Sequence, residues 1–464
     1  MLARARLIAV CLALSACGMD ELVGKDVEDP TLLSSPREAE DLDPDPDRVH
    51  VRLRAARATH QIGDIRFPGY AYDGRLPGPT VRGKIGDTLL VELENHLDQP
   101  TTIHWHGMQV PYAMDGVTWQ ADPVAAGARF TYSFELSRAG LFWYHPHFDA
   151  AGQVDRGLYG AVVVEAPGEP RVDHELVLVF DRWNEASPAS GPGSSPHALG
   201  PPSRPRHAAE TGNAGSFWTV NGKLRPKVEL PAGERVRARL LNASTRSYLD
   251  LRFPEPVRQL AGDQGLLAQP VDSDAMLLAP GDRAEVELLL GDYDVVLSAA
   301  PYSELGGPAL GELEELAAIV TAGSAAAPAS SPWPFSGAQA SPDPPFSDIV
   351  YVFSGDSAGN DWRINGELFP DVTLKEVALG SDAVIELRNA SASEHPFHLH
   401  GHAFELLSVA GVAPDARTLE DTVNVRVGET VRVKLRADNP GEWMAHCHIL
   451  EHAAAGMMTV LRVE

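Results

Sequence analysis

From Val49 onward the chain alternates apolar and polar residues with a period of two. RVHVRLRAAR, TLLVELENHL, RFTYSFEL and YGAVVVEA follow one another, separated by Gly, Pro and Asp turn signals. Short runs of this kind predict β-strands packed as an antiparallel sandwich, here over residues 49–167. The pattern returns over 172–321 in ELVLVFDRW, SFWTVNG, RVRARLLNAS and AEVELLL. It returns again over 347–464 in DIVYVFSG, DAVIELRNAS, NVRVGETVRVKLRAD and MMTVLRVE. The Pro/Ala/Ser-rich stretch 322–346 reads as a linker, and the Pro/Gly/Ser-rich stretch 186–206 as a long surface loop. The expectation is an all-β chain of three consecutive sandwiches.

The first 48 residues lie outside this pattern. Residues 1–17 have the form of a signal peptide: Arg4 and Arg6, a short apolar stretch from Leu7 to Ala16, then Cys17. Leu14-Ser15-Ala16-Cys17 resembles a bacterial lipobox, whose Cys is acylated. Residues 18–48 are acidic and proline-bearing, and predict a solvated flexible tether with nothing to pack. Export with a lipid anchor on Cys17 is therefore expected, in the bacterial cell envelope and facing the periplasm or cell surface. No apolar run reaches the ~18 residues that a spanning helix needs.

Composition narrows the class. The 464 residues carry a formal net charge of −26, which argues against nucleic acid, because phosphate binding needs a basic surface. Of the three cysteines, Cys11 would leave with the signal and Cys17 would be acylated. Cys447 is then alone in an oxidising compartment, where it has no internal disulfide partner.

The densest chemistry lies in GEWMAHCHILEHAAAGMM, residues 441–458. On a strand, His446 and His448 point to one face and Cys447 to the other. A metal held by Cys447 would thus be joined to metals behind it by a few covalent bonds. One thiolate, two imidazoles and a weak thioether suit a blue copper centre. Cys447, His452 and Met457 provide three of these four ligands. Taken singly, Cys447 and Met457 read as core filler, but three His and a Cys within seven residues are costly to bury uncoordinated. In HPFHLHGH, His395 faces opposite to His398 and His400 on a regular strand. His395 can therefore join Cys447, while His398 and His400 join His446 and His448. His402 lies beyond the cluster and is expected to be structural. The first unit adds two pairs at the same spacing, His104 with His106 and His145 with His147. No metal is assigned to the second unit.

The four motifs HWHG, HPH, HPFHLHGH and HCHILEHAAAGM, in this order, resemble the multicopper oxidases, in particular the three-domain laccase-like bacterial members. The resemblance covers about residues 49–464 and implies three cupredoxin-like Greek-key β-sandwich domains with four copper ions. Carried over by motif position, the type 1 copper takes His395, Cys447, His452 and axial Met457. The type 2 copper takes His104 and His398. The type 3 pair takes His106, His145 and His448 on one ion, and His147, His400 and His446 on the other. Domains one and three must then meet, with the middle domain as a spacer beside the reducing-substrate entrance. The resemblance also implies one-electron oxidation of a small donor, phenol-like or Cu(I), at the type 1 copper. It further implies four-electron reduction of dioxygen to water at the other three. A monomer is expected.

Reducing oxygen consumes protons. Asp115, in MDGVTWQADP, matches the family's acidic proton relay, although Asp115-Gly116 also reads as a plain turn. Many bacterial members carry a Glu after the histidine corresponding to His452. Here that position is Ala453, and Glu451, before His452, should face elsewhere.

Overall fold

The protein is described by a computed structural model, which defines residues 29–184, 216–306, 309, 311–323, 332–356 and 361–464. The signal peptide, Cys17, the start of the tether and the loop 186–206 lie outside the described residues.

Strands dominate, and they group into three sets. In the first, Ile65–Tyr72, Arg48–Ile62, Thr88–Asn95 and Arg129–Glu135 form one sheet, in that order. Val81–Lys84, Gly160–Glu165, Gly140–His145 and His104–His106 form the sheet opposite. Side chains of both sheets, among them Val51, Leu53, Val91, Trp105, Phe134 and Val162, share one core. The middle set is hydrogen-bonded as a nine-stranded sheet. The third set repeats the two-sheet plan with six and five strands.

The expectation of purely antiparallel sandwiches needs correction. Arg48–Ile62 pairs in parallel with Thr88–Asn95, His174–Asn184 with Arg235–Asn242, and Ile349–Asp356 with Asp382–Asn389. In the first unit, Val81–Lys84 intervenes in sequence but belongs to the opposite sheet. The chain therefore crosses over and re-enters beside its first strand in the same direction.

The tether expectation does not hold for residues 29–48. Leu33 is buried in the core of the middle unit. Its N–H donates to the Lys227 carbonyl at 2.8 Å, and the Ala39 N–H donates to Thr80 at 2.8 Å. The acidic, proline-bearing composition suggests solvation, but a single apolar anchor and edge hydrogen bonds to two units are enough to hold the segment down. The described part of the 322–346 stretch is held in a similar way. Trp333 is buried beneath Arg237, whose guanidinium lies 4.8 Å from its ring centre. The Gly337 N–H donates to the Ala268 carbonyl at 2.7 Å, and the Arg417 N–H donates to Ala338 at 3.1 Å.

Two strand pairings build the site. His104–His106 lies antiparallel to Gly140–His145, with His104 opposite His145. His395–Leu399 lies between Thr422–Val425 and Gly441–Cys447, with His398 opposite His446 and Phe397 opposite Cys447. The units meet through an apolar contact of Leu141, Trp143 and Val163 with Val177, Val179 and Leu241, to which the third unit adds Leu450.

Candidate metal centre

In the third unit, His395, Cys447 and His452 converge. Cys447 Sγ lies 3.4 Å from His395 Nδ1 and 3.7 Å from His452 Nδ1, and the two ring nitrogens are 3.3 Å apart. All three residues are buried. Sequence parity sends His395 to the Cys447 side of its strand, and there it lies. His452 follows from the short helix Leu450–Ala454, which returns the chain over the end of the Cys447 strand. Met457 is tied in by its backbone: its N–H donates to the His452 carbonyl at 3.0 Å, and its carbonyl accepts from the Cys447 N–H at 3.2 Å. Its side chain is buried in the same core as Cys447.

The second nitrogen of His395, Nε2, pairs with Ser391 Oγ at 2.7 Å. That contact leaves Nδ1 aimed at the thiol, as expected where an outer partner orients a metal-binding imidazole. Burial raises the Cys447 thiol pKa far above its ordinary value. It also lowers His395 to about 3. In the apo-protein the thiol is therefore protonated and the imidazole neutral, so a metal must displace a proton from sulfur to bind.

The other eight histidines form a nest where the first and third units meet. His104, His398 and His400 place donor atoms within 4.8 Å of one another, and so do His104, His106 and His145, and His147, His400 and His446. His106 and His398 stack at 3.7 Å, and His104 and His400 at 3.8 Å. His448 lies against His106 and His145, with ring centres at 4.9 and 5.7 Å.

The pattern of satisfied and orphaned nitrogens tests the fit to metal. His104 Nε2, His106 Nδ1, His145 Nε2, His147 Nε2, His398 Nε2 and both His448 nitrogens are buried without a hydrogen-bond partner. Buried polar atoms are seldom left unpaired. On most of these rings the other nitrogen is held from behind. His145 Nδ1 contacts the Pro146 carbonyl at 3.0 Å, and His446 Nδ1 contacts the Cys447 carbonyl at 2.9 Å. His400 Nε2 and His446 Nε2 face each other at 3.0 Å. Burial lowers the pKa of His145, His147, His400, His446 and His448, to about 3 for His147. Neutral imidazoles with free lone pairs facing a common space are a donor set for transition metals.

Asp115 is buried beside this nest. Its Oδ1 lies 3.1 Å from His104 Nδ1, and its Oδ2 lies 2.9 Å from His400 Nδ1. Burial pushes its carboxyl pKa up, but the His400 and His104 imidazoles outweigh this and leave it well below the usual range. The turn reading also holds, since Gly116 has φ +76° and a Cβ there would strike the Ile103 carbonyl. Ala453 is buried, and Glu451 pairs with Arg246 at 3.0 Å, away from the nest. His402 lies outside both donor sets, with Nδ1 3.2 Å from the His400 carbonyl and its ring edge-on to Trp443.

Three features need correction or addition. His452, a residue the motif alone leaves without a cover, is 2% exposed, and Trp362 stacks on it at 3.9 Å. The middle unit is more than a spacer, because its Arg283 and Gln264 reach the back of the nest, and a Cβ on Gly281 would lie 3.0 Å from the His448 ring. Asp421, which contacts His106 at 3.0 Å, was missed. Its only sequence signal is its place in LEDTVNV, two strands from the motifs.

Three β units, a Cys–His–His set and a nest of eight histidines describe a copper oxidase built on cupredoxin-like domains, and the comparisons agree. Multicopper oxidase family profiles match residues 57–169 and 342–464. The chain is 30% identical over 456 residues to multicopper oxidase MmcO of Mycobacterium tuberculosis, covering 89% of this chain and 86% of that one. Its fold is similar to a multicopper oxidase from Campylobacter jejuni described as a metallo-oxidase, with TM-score 0.77, 27% identity, and 93% and 95% of the two chains covered. It is equally similar to a laccase from Pediococcus acidilactici, with TM-score 0.77, 25% identity, and 96% of each chain covered. The chain belongs to the multicopper oxidases, and it is a copper-dependent oxidoreductase with oxygen as acceptor.

Proposed function

We propose that this enzyme couples one-electron oxidation of phenol-like or other aromatic donors to four-electron reduction of dioxygen to water. His395, Cys447, His452 and Met457 would hold a type 1 copper, and His104 and His398 a type 2 copper. His106, His145 and His448, with His147, His400 and His446, would hold a type 3 pair. Bound copper would supply the electron storage and the oxygen chemistry, as cofactors generally do. The observation that carries this reading is the single strand Gly441–Cys447 running on into His448. It places Cys447 in one donor set and His446 and His448 in the other, so no through-space gap separates them.

The chain's own residues shape entry and proton supply. Trp362 covers His452 and is itself buried, so an electron from a donor at the surface would reach the imidazole through this cover rather than by direct contact. Asp115 touches one histidine from each outer unit and would pass protons to the nest. The phenol reading is supported by the state of the methionines near Cys447. Of the three methionines clustered there, Met444 and Met457 are buried and only Met458 is part-exposed, so at most one soft sulfur of the kind that favours Cu(I) reaches the surface. The alternative, a cuprous-ion oxidase, is favoured by the similarity to the Campylobacter jejuni enzyme described as a metallo-oxidase. Copper-loaded enzyme assayed side by side with a panel of phenols and with Cu(I) decides between them. The expected result is a higher kcat/KM for at least one phenol. A higher value for Cu(I) than for every phenol would transfer the assignment to the second reading.

We also propose an envelope location with a lipid on Cys17, from the lipobox-like Leu14-Ser15-Ala16-Cys17. In a bacterial host, Cys17→Ala should release the protein from the membrane fraction or block its processing, with activity per copper-loaded molecule unchanged. Mass spectrometry showing no acyl group on Cys17 of a freely soluble wild type would end this proposal.

A further inference from the structure

Two buried carboxylates flank the histidine nest, and each bridges the two outer units. Asp115, from the first, contacts His104 of the first and His400 of the third. Asp421, from the third, contacts His106 of the first at 3.0 Å through Oδ1. It also contacts His398 of the third, whose Nδ1 lies 3.0 Å from the Asp421 carbonyl and 3.4 Å from Oδ1. Each carboxylate therefore stands behind one stacked pair of rings. The nitrogens left orphaned on the second pair, His106 Nδ1 and His398 Nε2, are those turned away from Asp421.

The two acids differ in what holds them. Apart from its histidines, the Asp115 carboxylate has among the described residues only Gln120, at 3.3 Å. Asp421 is gripped by the middle unit. Arg283 places Nη1 2.8 Å from Oδ1 and brings Nη2 onto Oδ2, while Gln264 Nε2 reaches Oδ2 at 2.5 Å. The guanidinium is itself fully committed. Nε donates to the Leu141 carbonyl at 3.2 Å, Nη1 also to Gly281 at 3.1 Å, and Nη2 also to the Asp263 carbonyl at 2.9 Å. All five N–H groups are thus used in a site with no solvent exposure. A bidentate guanidinium–carboxylate pair fixes direction as well as charge, which an ammonium does not. The pair also explains the glycine of HWHG. Gly107 has φ +83°, and a Cβ there would lie 2.7 Å from Asp421 Oδ2. Gln264 also donates to the Gly107 carbonyl at 2.8 Å.

We propose that Asp421, clamped by Arg283 of the middle domain, is a positioning residue that holds His106 and His398 in the ring orientation and tautomer needed to bind metal. The proton on His106 Nε2 is directed to the carboxylate and that on His398 Nδ1 to the Asp421 carbonyl, which leaves the opposite nitrogens bare for copper. The middle domain thereby takes part in building a site to which it gives no ligand. This inference rests on the copper assignment proposed above.

The test uses the full chain loaded with Cu(II), comparing wild type, Asp421→Asn and Arg283→Lys. Copper per chain is measured by atomic absorption, and the ligand field by electron paramagnetic resonance. Blue absorption from the Cys447 site serves as the internal check of folding. Both variants should stay blue but bind copper at the histidine nest roughly 10- to 100-fold more weakly, the usual effect of losing an outer partner. The type 2 hyperfine splitting should change, and additional resonance-visible copper should appear as the type 3 pair uncouples. Arg283→Lys keeps the charge without the fork, so its failure to restore the wild-type spectrum separates orientation from charge. If Asp421→Asn does not fold, Arg283→Lys decides alone. Wild-type copper affinity with an unchanged type 2 spectrum in the folded variants overturns the proposal. A wild type that binds no copper at the nest would instead defeat the functional reading.

Discussion

Cys447→Ser should abolish the intense blue absorption of the copper-loaded protein while leaving the sandwich folded. The colour requires charge transfer from a thiolate to copper, and Cys447 is the only cysteine after Cys17. The side chain is buried in the core of the third unit, among residues such as Phe397, Ile449 and Met457. Serine is nearly isosteric, so the fold loses little volume. Its hydroxyl would lack the metal, and a buried unpaired polar group costs about 1–3 kcal/mol, a loss a domain of this size tolerates. Turnover with any donor should fall to background, because the covalent path linking the two donor sets starts at this sulfur. Circular dichroism and copper analysis should show a folded chain that keeps metal at the histidine nest. Full blue intensity in Cys447→Ser would remove the type 1 assignment.

The second large effect concerns protons. In Asp115→Asn, donor-driven reduction under anaerobic conditions should proceed near the wild-type rate, while reoxidation by dioxygen should slow by roughly 10²- to 10⁴-fold, the usual contribution of a positioned general acid. Asparagine keeps the shape of aspartate but carries no transferable carboxyl proton. The penalty should fall toward the upper end, because Ala453 leaves no acid after His452, and Glu451 before it is turned to Arg246. Asp115 sits well below the usual carboxylate range: burial pushes it up, and His400 and His104 more than offset this. Placed between His104 and His400, it would act as a relay, taking a proton and passing it on. Asp115 also touches two candidate ligands, so copper content must be measured with the rate. A variant with wild-type copper content that reoxidises at the wild-type rate would show that the proton arrives elsewhere.

Much of the site was legible because strands impose a period of two. The spacing at 104/106, 145/147, 398/400 and 446/448 puts each pair of imidazoles on one face, and the odd offset of His395 and Cys447 sends both to the other. Those are local geometric facts, and the described structure keeps them. Local geometry does not show what covers a face. His452 lies on a short helix, and Trp362, ninety residues earlier by the chain numbering, stacks on it. The acidic segment before Val49 has the composition of a tether, yet Leu33 enters a core built from other strands.

The sequence by itself determined the β class and the opposite facing of Cys447 and its two flanking histidines, since both depend on residue type and on spacing along one strand. Only the tertiary structure decided how the three units share the nest. Asp421 reads as an ordinary acidic residue next to a strand until packing places it beside His106 of the first unit and Arg283 of the middle one. Such a contact depends on how separate sheets dock, and neither hydrophobic period nor turn chemistry carries that information. A buried carboxylate between two imidazoles and a guanidinium is tolerable only when all four groups meet at hydrogen-bonding distance, a condition that belongs to the assembled fold.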